Sequence, residues 1–313
     1  TRNVTIPDWL GQSLAQENLN SDRTRGFDFT VRHHNHFGDF QYGITGNMAF
    51  SRMMNRYVEH TDYGTQYLNW RNNSTNRYND IWWGYDYAGQ FNDLYEIWDA
   101  PIMDNLGNSQ LKPGDYCYED WNGDGVIDEN DLHPIKYGAQ TTPVLYYGLT
   151  LDLSWKGIDL TAVFQGGAFN NVKYDWYLST PFIYDKNGPD FFFDRWHMED
   201  ASADPLDPRT KWVRGYLPTT SQGSNAMSLN TSTSAASLHE ASYIRLKSLE
   251  LGYTLPKKWV QKVNASSVRV FTNAYNLLTC TGLKYLDPEH PSSGYGTTYP
   301  LICTVNFGVN IKF

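Results

Sequence analysis

The sequence predicts an all-β fold: one part of a large antiparallel transmembrane β-barrel with long extracellular loops. Three observations carry that prediction. They are strands that alternate apolar and polar residues, links that sort by length, and a composition rich in aromatic and neutral polar side chains. The final stretch shows the pattern most clearly. Leu301, Cys303, Val305, Phe307, Val309, Ile311 and Phe313 alternate with Ile302, Thr304, Asn306, Gly308, Asn310 and Lys312. Strand side chains repeat every two residues, so this segment has one apolar face and one polar face. In a barrel wall the apolar face meets lipid and the polar face lines a lumen. In a soluble sandwich the apolar face meets a second sheet instead.

The earlier strands repeat this design in pairs. Phe27, Phe29, Val31 and His33 alternate with Asp28, Thr30, Arg32 and His34, up to a turn at Gly38-Asp39. Phe40, Tyr42, Ile44, Met48 and Phe50 then alternate with Gln41, Gly43, Thr45, Asn47 and Ser51. A second pair runs from Leu145 to Trp155 and, after Lys156-Gly157, from Ile158 to Gln165. Two less regular strands are expected at 243–255 and 268–278, joined by 256–267. With the terminal strand this makes about seven, each long enough for the roughly 9–11 residues a tilted strand needs to cross hydrocarbon.

Between these hairpins lie long links at 52–142, 168–242 and 282–300. Hairpins alternate sides of a sheet, so every short link falls on one side and every long link on the other. Outer-membrane barrels show that asymmetry, and a sandwich has no reason to. Composition agrees. Aromatics reach 16% while charged residues are only 19%, at a mean hydropathy of −0.57. Soluble enzymes lean on Glu and Lys for solubility; barrels carry aromatic girdles and neutral lumen residues. No run approaches the roughly 20 apolar residues of a membrane helix, so strands must do any spanning. A net charge of −9 argues against nucleic acid as a partner. The three cysteines, Cys117, Cys280 and Cys303, form neither a complete disulfide framework nor a zinc pattern; Cys303 reads as a small lipid-facing hydrophobe. Thr1-Arg2-Asn3 reads as mid-chain, with no signal peptide.

The motif with chemistry in it is Asp120-Trp121-Asn122-Gly123-Asp124-Gly125-Val126-Ile127-Asp128-Glu129-Asn130-Asp131. It follows the calcium loop D-x-[DN]-x-[DN]-G-x₅-E except at its last position. Asp120, Asn122 and Asp124 would offer side-chain oxygens, Val126 its carbonyl, and Asp128 a direct or water-mediated ligand. Asp131 stands where a glutamate normally binds with both oxygens, which should weaken the site. A bound Ca²⁺ would staple an outer loop and implies no catalysis; an acidic turn held by Asx hydrogen bonds is the plainer alternative.

Trp82 and Trp83 are the candidate substrate contacts, because loop aromatics such as these, or Phe191, Phe192, Phe193 and Trp196, offer stacking faces to sugars or peptides. Their plainer role is packing of the loops. His33, His34 and His36 at a turn are better read as a polar strand end than as a metal site. No nucleophile elbow, metalloprotease, P-loop or dinucleotide motif is present, and no pair of carboxylates stands out as a glycosidase dyad. No catalytic residue is assigned, and the chain reads as a non-enzyme.

Several stretches together resemble the SusC/RagA-type TonB-dependent outer-membrane transporters. They are DWNGDGVI at 120–127, the strand entry at 143–148, WKGIDL at 155–160, FQG at 164–166, ASYIRLKSLELGYTLP at 241–256, NLLT at 276–279 and DPE at 287–289. The terminal Phe313 resembles the recognition signal for barrel assembly. The likeness is densest from Gly114 onward and extends back to Gly26. It implies a wide 22-stranded barrel with a plugged lumen, of which residues 1–313 would supply about seven C-terminal strands. Plug, TonB box and the earlier strands have no counterpart here, and an open set of strands is not tolerated in lipid. The resemblance further implies a SusD-like surface lipoprotein as lid, TonB acting through the plug, oligosaccharide or peptide cargo, and pairing of transporter–lid units into a homodimer. The Gram-negative outer membrane is the implied location, with the long loops extracellular and the C-terminus periplasmic. The competing reading is a secreted, calcium-stabilised β-sandwich that binds carbohydrate.

Overall fold

The computed structural model describes residues 18–104, 106–138, 142–174, 178–180, 187–219, 229–289 and 301–313. The Thr1-Arg2-Asn3 start and parts of the three long links lie outside the described residues. Seven long strands form one antiparallel meander in chain order. They are β1 (Ser21–Phe37), β2 (Phe40–Tyr57), β3 (Leu145–Trp155), β4 (Ile158–Ala168), β5 (Tyr243–Thr254), β6 (Ser267–Thr281) and β7 (Thr304–Lys312). The fold expectation therefore holds: this is a partial barrel wall. β1 and β2 run further than their alternation suggested, because the ladder continues to Ser21↔Tyr57 after the apolar pattern has ended.

The turns explain the tight hairpins. Lys156 and Gly157 both take positive φ, 46° and 88°, as a type I′ turn requires. Gly38 opens the β1–β2 turn at φ 59°, the position where a type II′ turn needs glycine. The β5–β6 link is a short helix, Lys257–Val260, closed by Asn264 in the left-handed region. All three short links lie at one end of the sheet, and all three long links leave from the other.

Register ties the apolar positions into continuous rows. Phe37 faces Phe40, which faces Trp155; Trp155 faces Ile158, Ile158 faces Tyr253, Tyr253 faces Val270 and Val270 faces Val309. This aromatic-rich row borders the turn end. β5 and β6 looked irregular in sequence because the ladder shifts between Leu246 and Ser248. Lys247 is a bulge residue against β4, so Leu246 and Leu249, three apart, share the apolar face.

The main buried core lies elsewhere. Phe91, Leu94, Ile97, Met103, Leu111, Tyr116, Tyr118 and Ile127 form one cluster, entirely within the first long link. Among the described residues no second sheet covers the apolar face of the wall: the other ladders are two-stranded and short. Phe307 remains 84% exposed, and Val31, Val305 and Val309 are also exposed.

Candidate functional site: the inner face and the loop body

The opposite face of the meander is polar. His34, Gly43, Asp152, Thr161, Glu250, Asn273 and Asn306 form one cross-strand row on it. Near the turn end this face holds an open groove of about 690 Å³, which His34, Gln41, Asp152 and Asp159 help to line. Its rows are linked by side chains: Thr161 donates to Asp152 at 2.9 Å and Asn306 to Asn273 at 3.0 Å. The Arg269 guanidinium crosses β5 to bind Asp159 on β4, and also reaches Glu250 at 2.7 Å. Gly252 lies under that crossing. A Cβ there would come within 2.3 Å of the guanidinium, so the ion triad and the glycine require each other. His34 leans over Gly43 in the same way. His33 instead hydrogen-bonds Tyr42 on the other face, so the histidines at the turn do not converge.

Above the wall the long links fold together as one body. Asp115 is fully buried; it accepts from Asn230 at 2.7 Å, from Thr219 at 3.0 Å and from the Lys112 amide at 2.9 Å. Burial pushes its carboxyl above the usual range. Tyr118 donates to the Leu229 carbonyl at 2.5 Å, and Trp196 donates to Gln90 at 3.1 Å. These contacts join the first long link to the second. The third folds down onto the inner face, where the buried Arg245 meets Asp287 at 2.6 Å and Glu289 at 3.4 Å. Lys247 and the Tyr243 hydroxyl complete that cluster, each 3.0 Å from Glu289.

The calcium-type loop sits on the flank of this body. Asp120 accepts from the amides of Gly123, Asp124 and Gly125, Asn122 from Asp124, and Asp124 from Val126. Asp128 caps the short helix Glu129–Asp131, and Asp131 accepts from the amides of Trp121 and Asp128 at 2.9 and 2.8 Å. The six residues expected as ligands thus share one loop, but their side-chain oxygens are held on backbone N–H groups. Among the described residues no three carboxylate, histidine or cysteine groups converge as a metal cluster. The loop is anchored at both ends. Ile127 pairs with Ile102 and enters the core, and Trp121 stacks on His133 at 5.1 Å.

Trp82 and Trp83 occupy the short strand Ile81–Gly84, paired with His133–Tyr137. Both are half-buried. Trp83 meets Trp70 edge-on at 5.3 Å and carries the Arg77 guanidinium 4.9 Å from its ring centre. The pair therefore takes part in packing the loop body. A small aromatic cleft lies between the second and third long links, lined by Tyr174, Phe191, Asp194, Tyr216, His239 and Tyr285. Phe191 stacks on Tyr285 at 4.1 Å and Tyr174 meets the His239 ring at 3.8 Å. Burial holds His239 down to about 4, so it is neutral at pH 7. Sequence reading missed this cleft and the Asp115–Asn230 contact, because their members lie in different links. Asp287-Pro288-Glu289 did stand out, but not its pairing with Arg245.

No family model matches the chain. TonB-dependent receptor P3 of Formosa agariphila is 23% identical over 98% of the chain and 30% of its own length. TonB-dependent receptor SusC of Bacteroides thetaiotaomicron is 26% identical over 64% of the chain and 18% of its own length. The RagAB peptide importer in its open-open state superposes with a TM-score of 0.66 at 19% identity, over 100% of the chain and 31% of that chain. The chain is similar to a stretch of the SusC receptor and, in fold, to the barrel of the RagAB importer. It spans about 30% of the length of the first curated relatives it matches. In outer-membrane barrels an apolar wall face of this kind meets lipid. The relatives are named as receptors and transporters, none as an enzyme.

Proposed function

We propose that this segment supplies wall and outer loops to an importer that carries oligosaccharides or peptides across the outer membrane. The observation that carries the reading is the meander itself. Its apolar face is uncovered among the described residues, its polar face holds an open groove, and its three long links fold into one body at a single end. In this reading the loop body is extracellular and the short turns and C-terminus are periplasmic. A SusD-like lipoprotein closes over the loop body, TonB acts through a plug inside the lumen, and two transporter–lid units pair as a homodimer. Residues 1–313 are then the C-terminal part of the barrel domain. The residues act by shape, stacking and hydrogen bonding, with no covalent step.

Substrate contacts fit the cleft of Tyr174, Phe191, Tyr216 and Tyr285 better than Trp82 and Trp83, whose strand pairs within the first long link. Aromatic faces beside Asp194 and a neutral His239 suit either cargo class. The loop 120–131 is proposed to bind Ca²⁺ weakly through Asp120, Asn122, Asp124, Val126, Asp128 and Asp131. An ion there would share oxygens that already hold amides.

Cell fractionation tests the reading. The full-length protein should stay in the membrane pellet until detergent is added, and a lipoprotein lid should co-purify with it. Release in the soluble fraction without detergent would instead favour the secreted carbohydrate-binding module, although no second sheet covers the apolar face among the described residues.

A further inference from the structure

Charge is divided unevenly between the two ends of this segment. Residues 81–131, in the loop body, hold 12 carboxylate side chains and a single basic residue, Lys112. The turn end is the reverse. Its three short links contain Lys156, Lys257, Lys258 and Lys262, and one carboxylate, Asp39. Lys312 ends β7 beside them.

These lysines form one contiguous rim. The Thr254 amide donates to the Gly157 carbonyl at 2.7 Å, which seats the Lys156 turn against the start of the β5–β6 link. At the other end of that link the Ser266 amide and hydroxyl both donate to the Lys312 carbonyl, at 2.6 and 3.0 Å. All five lysines are exposed, and none of their ammonium groups pairs with a carboxylate among the described residues. The nearby Asp159 and Glu250 are taken by Arg269. Just inside the rim runs an apolar row of the outer face, with Trp155, Ile158 and Tyr253 exposed. Lys156 Nζ lies 5.3 Å from the centre of the Trp155 ring, and Trp259, 61% exposed, projects from the helix that carries Lys257 and Lys258.

We propose that this rim binds the headgroups of anionic glycerophospholipids in the membrane leaflet at the turn end. Charge complementarity and continuity with the lipid face both favour that occupant. Interfacial tryptophans set the depth at which headgroups begin, and unpaired lysines just beyond them meet phosphate at that depth. Flexible ammonium groups suit mobile headgroups, where a bidentate arginine would suit a fixed anion. The proposal rests on the barrel-wall reading given above.

The test uses the full-length protein that carries this segment, purified in detergent and offered equimolar phosphatidylglycerol and phosphatidylcholine of identical chains. Native mass spectrometry reads the lipids retained. Phosphatidylglycerol should be favoured by about tenfold, with the preference falling as salt rises. Replacing the five lysines by glutamine (K156Q, K257Q, K258Q, K262Q, K312Q) should bring the ratio to about one, and replacing them by arginine should preserve it. Heat-modifiable gel mobility confirms that each variant is folded, and the salt series on the natural sequence needs no variant. Equal retention of both lipids by the natural sequence overturns the proposal. So does an undiminished preference in the glutamine variant, or its loss to millimolar inorganic phosphate, which would mark a site for the free anion. Retention of neither lipid would instead sink the wall reading.

Discussion

Asn230 donates to the Asp115 carboxylate at 2.7 Å, across a sequence separation of 115 residues. Two links that the sequence presents as separate loops are thereby one structure. Asn230 also accepts from the Tyr116 amide at 2.9 Å, so one amide side chain serves both a buried acid and a buried N–H. Removing it leaves both without that partner in a place water does not reach. We predict that Asn230→Ala costs about 1–3 kcal/mol of loop stability. Protease cleavage of the loops should then quicken by roughly tenfold or more, while heat-modifiable mobility of the barrel is unchanged. Cleavage at the natural rate would show that the contact carries no weight.

Gly252 and Arg269 should behave as a unit. Gly252→Ala drives a methyl into the guanidinium and should lower thermal stability by about 1–3 kcal/mol. In an Arg269→Met background the same substitution should be close to neutral. A double-mutant cycle in detergent measures the coupling, and simple additivity of the two changes would refute the crossing.

Acid should loosen the cleft through His239. Its folded value, about 4, lies below the ordinary 6.5, so between these the unfolded chain binds more protons than the native one. The stability it contributes is full above pH 6.5 and is lost as pH falls through about 4. Hydrogen exchange at Leu238–Glu240 should rise over that window, and His239→Phe should flatten the change. An identical pH slope in the two proteins would count against the assignment.

The calcium proposal has a direct optical test. Trp121 lies inside the loop, so Tb³⁺ bound there should be sensitised by indole excitation, and Ca²⁺ should displace it at about 10⁻⁴–10⁻³ M. Asp124→Ala should weaken binding and open the loop to protease without stopping membrane insertion. No sensitised emission, together with a protease pattern indifferent to chelator, would leave the loop as a hydrogen-bonded acidic turn.

Deleting Phe313, which is 89% exposed at the end of the apolar row, should lower the amount of protein assembled into the outer membrane. The measurement is the heat-modifiable fraction in washed membranes. Normal insertion of the truncated chain would remove its proposed role as an assembly signal.

The wall was legible in the sequence because a two-residue period survives wherever one face must be apolar. Trp155-Lys156-Gly157-Ile158 even specified its own turn. The period failed at Lys247 and around Asn276, where bulges shift the face and the strands looked untidy. The loop body was not legible, since Phe91, Leu94 and Tyr118 pack through links with no period to read. The acidic loop was found at once by its spacing, yet spacing could not reveal that its carboxylates are turned onto its own amides. Trp82 and Trp83 show the same limit: a tandem of indoles advertises area, not whether Arg77 and Trp70 already occupy it.

Among the described residues, the outer margins of β1 and β7 have no neighbour. Each is a selvedge of unmet amide and carbonyl groups, and hydrocarbon offers them nothing to bond. This arch is therefore not a unit of folding in the bilayer. Made alone it should zip margin to margin into fibrils, and only companion strands on both flanks let it stand.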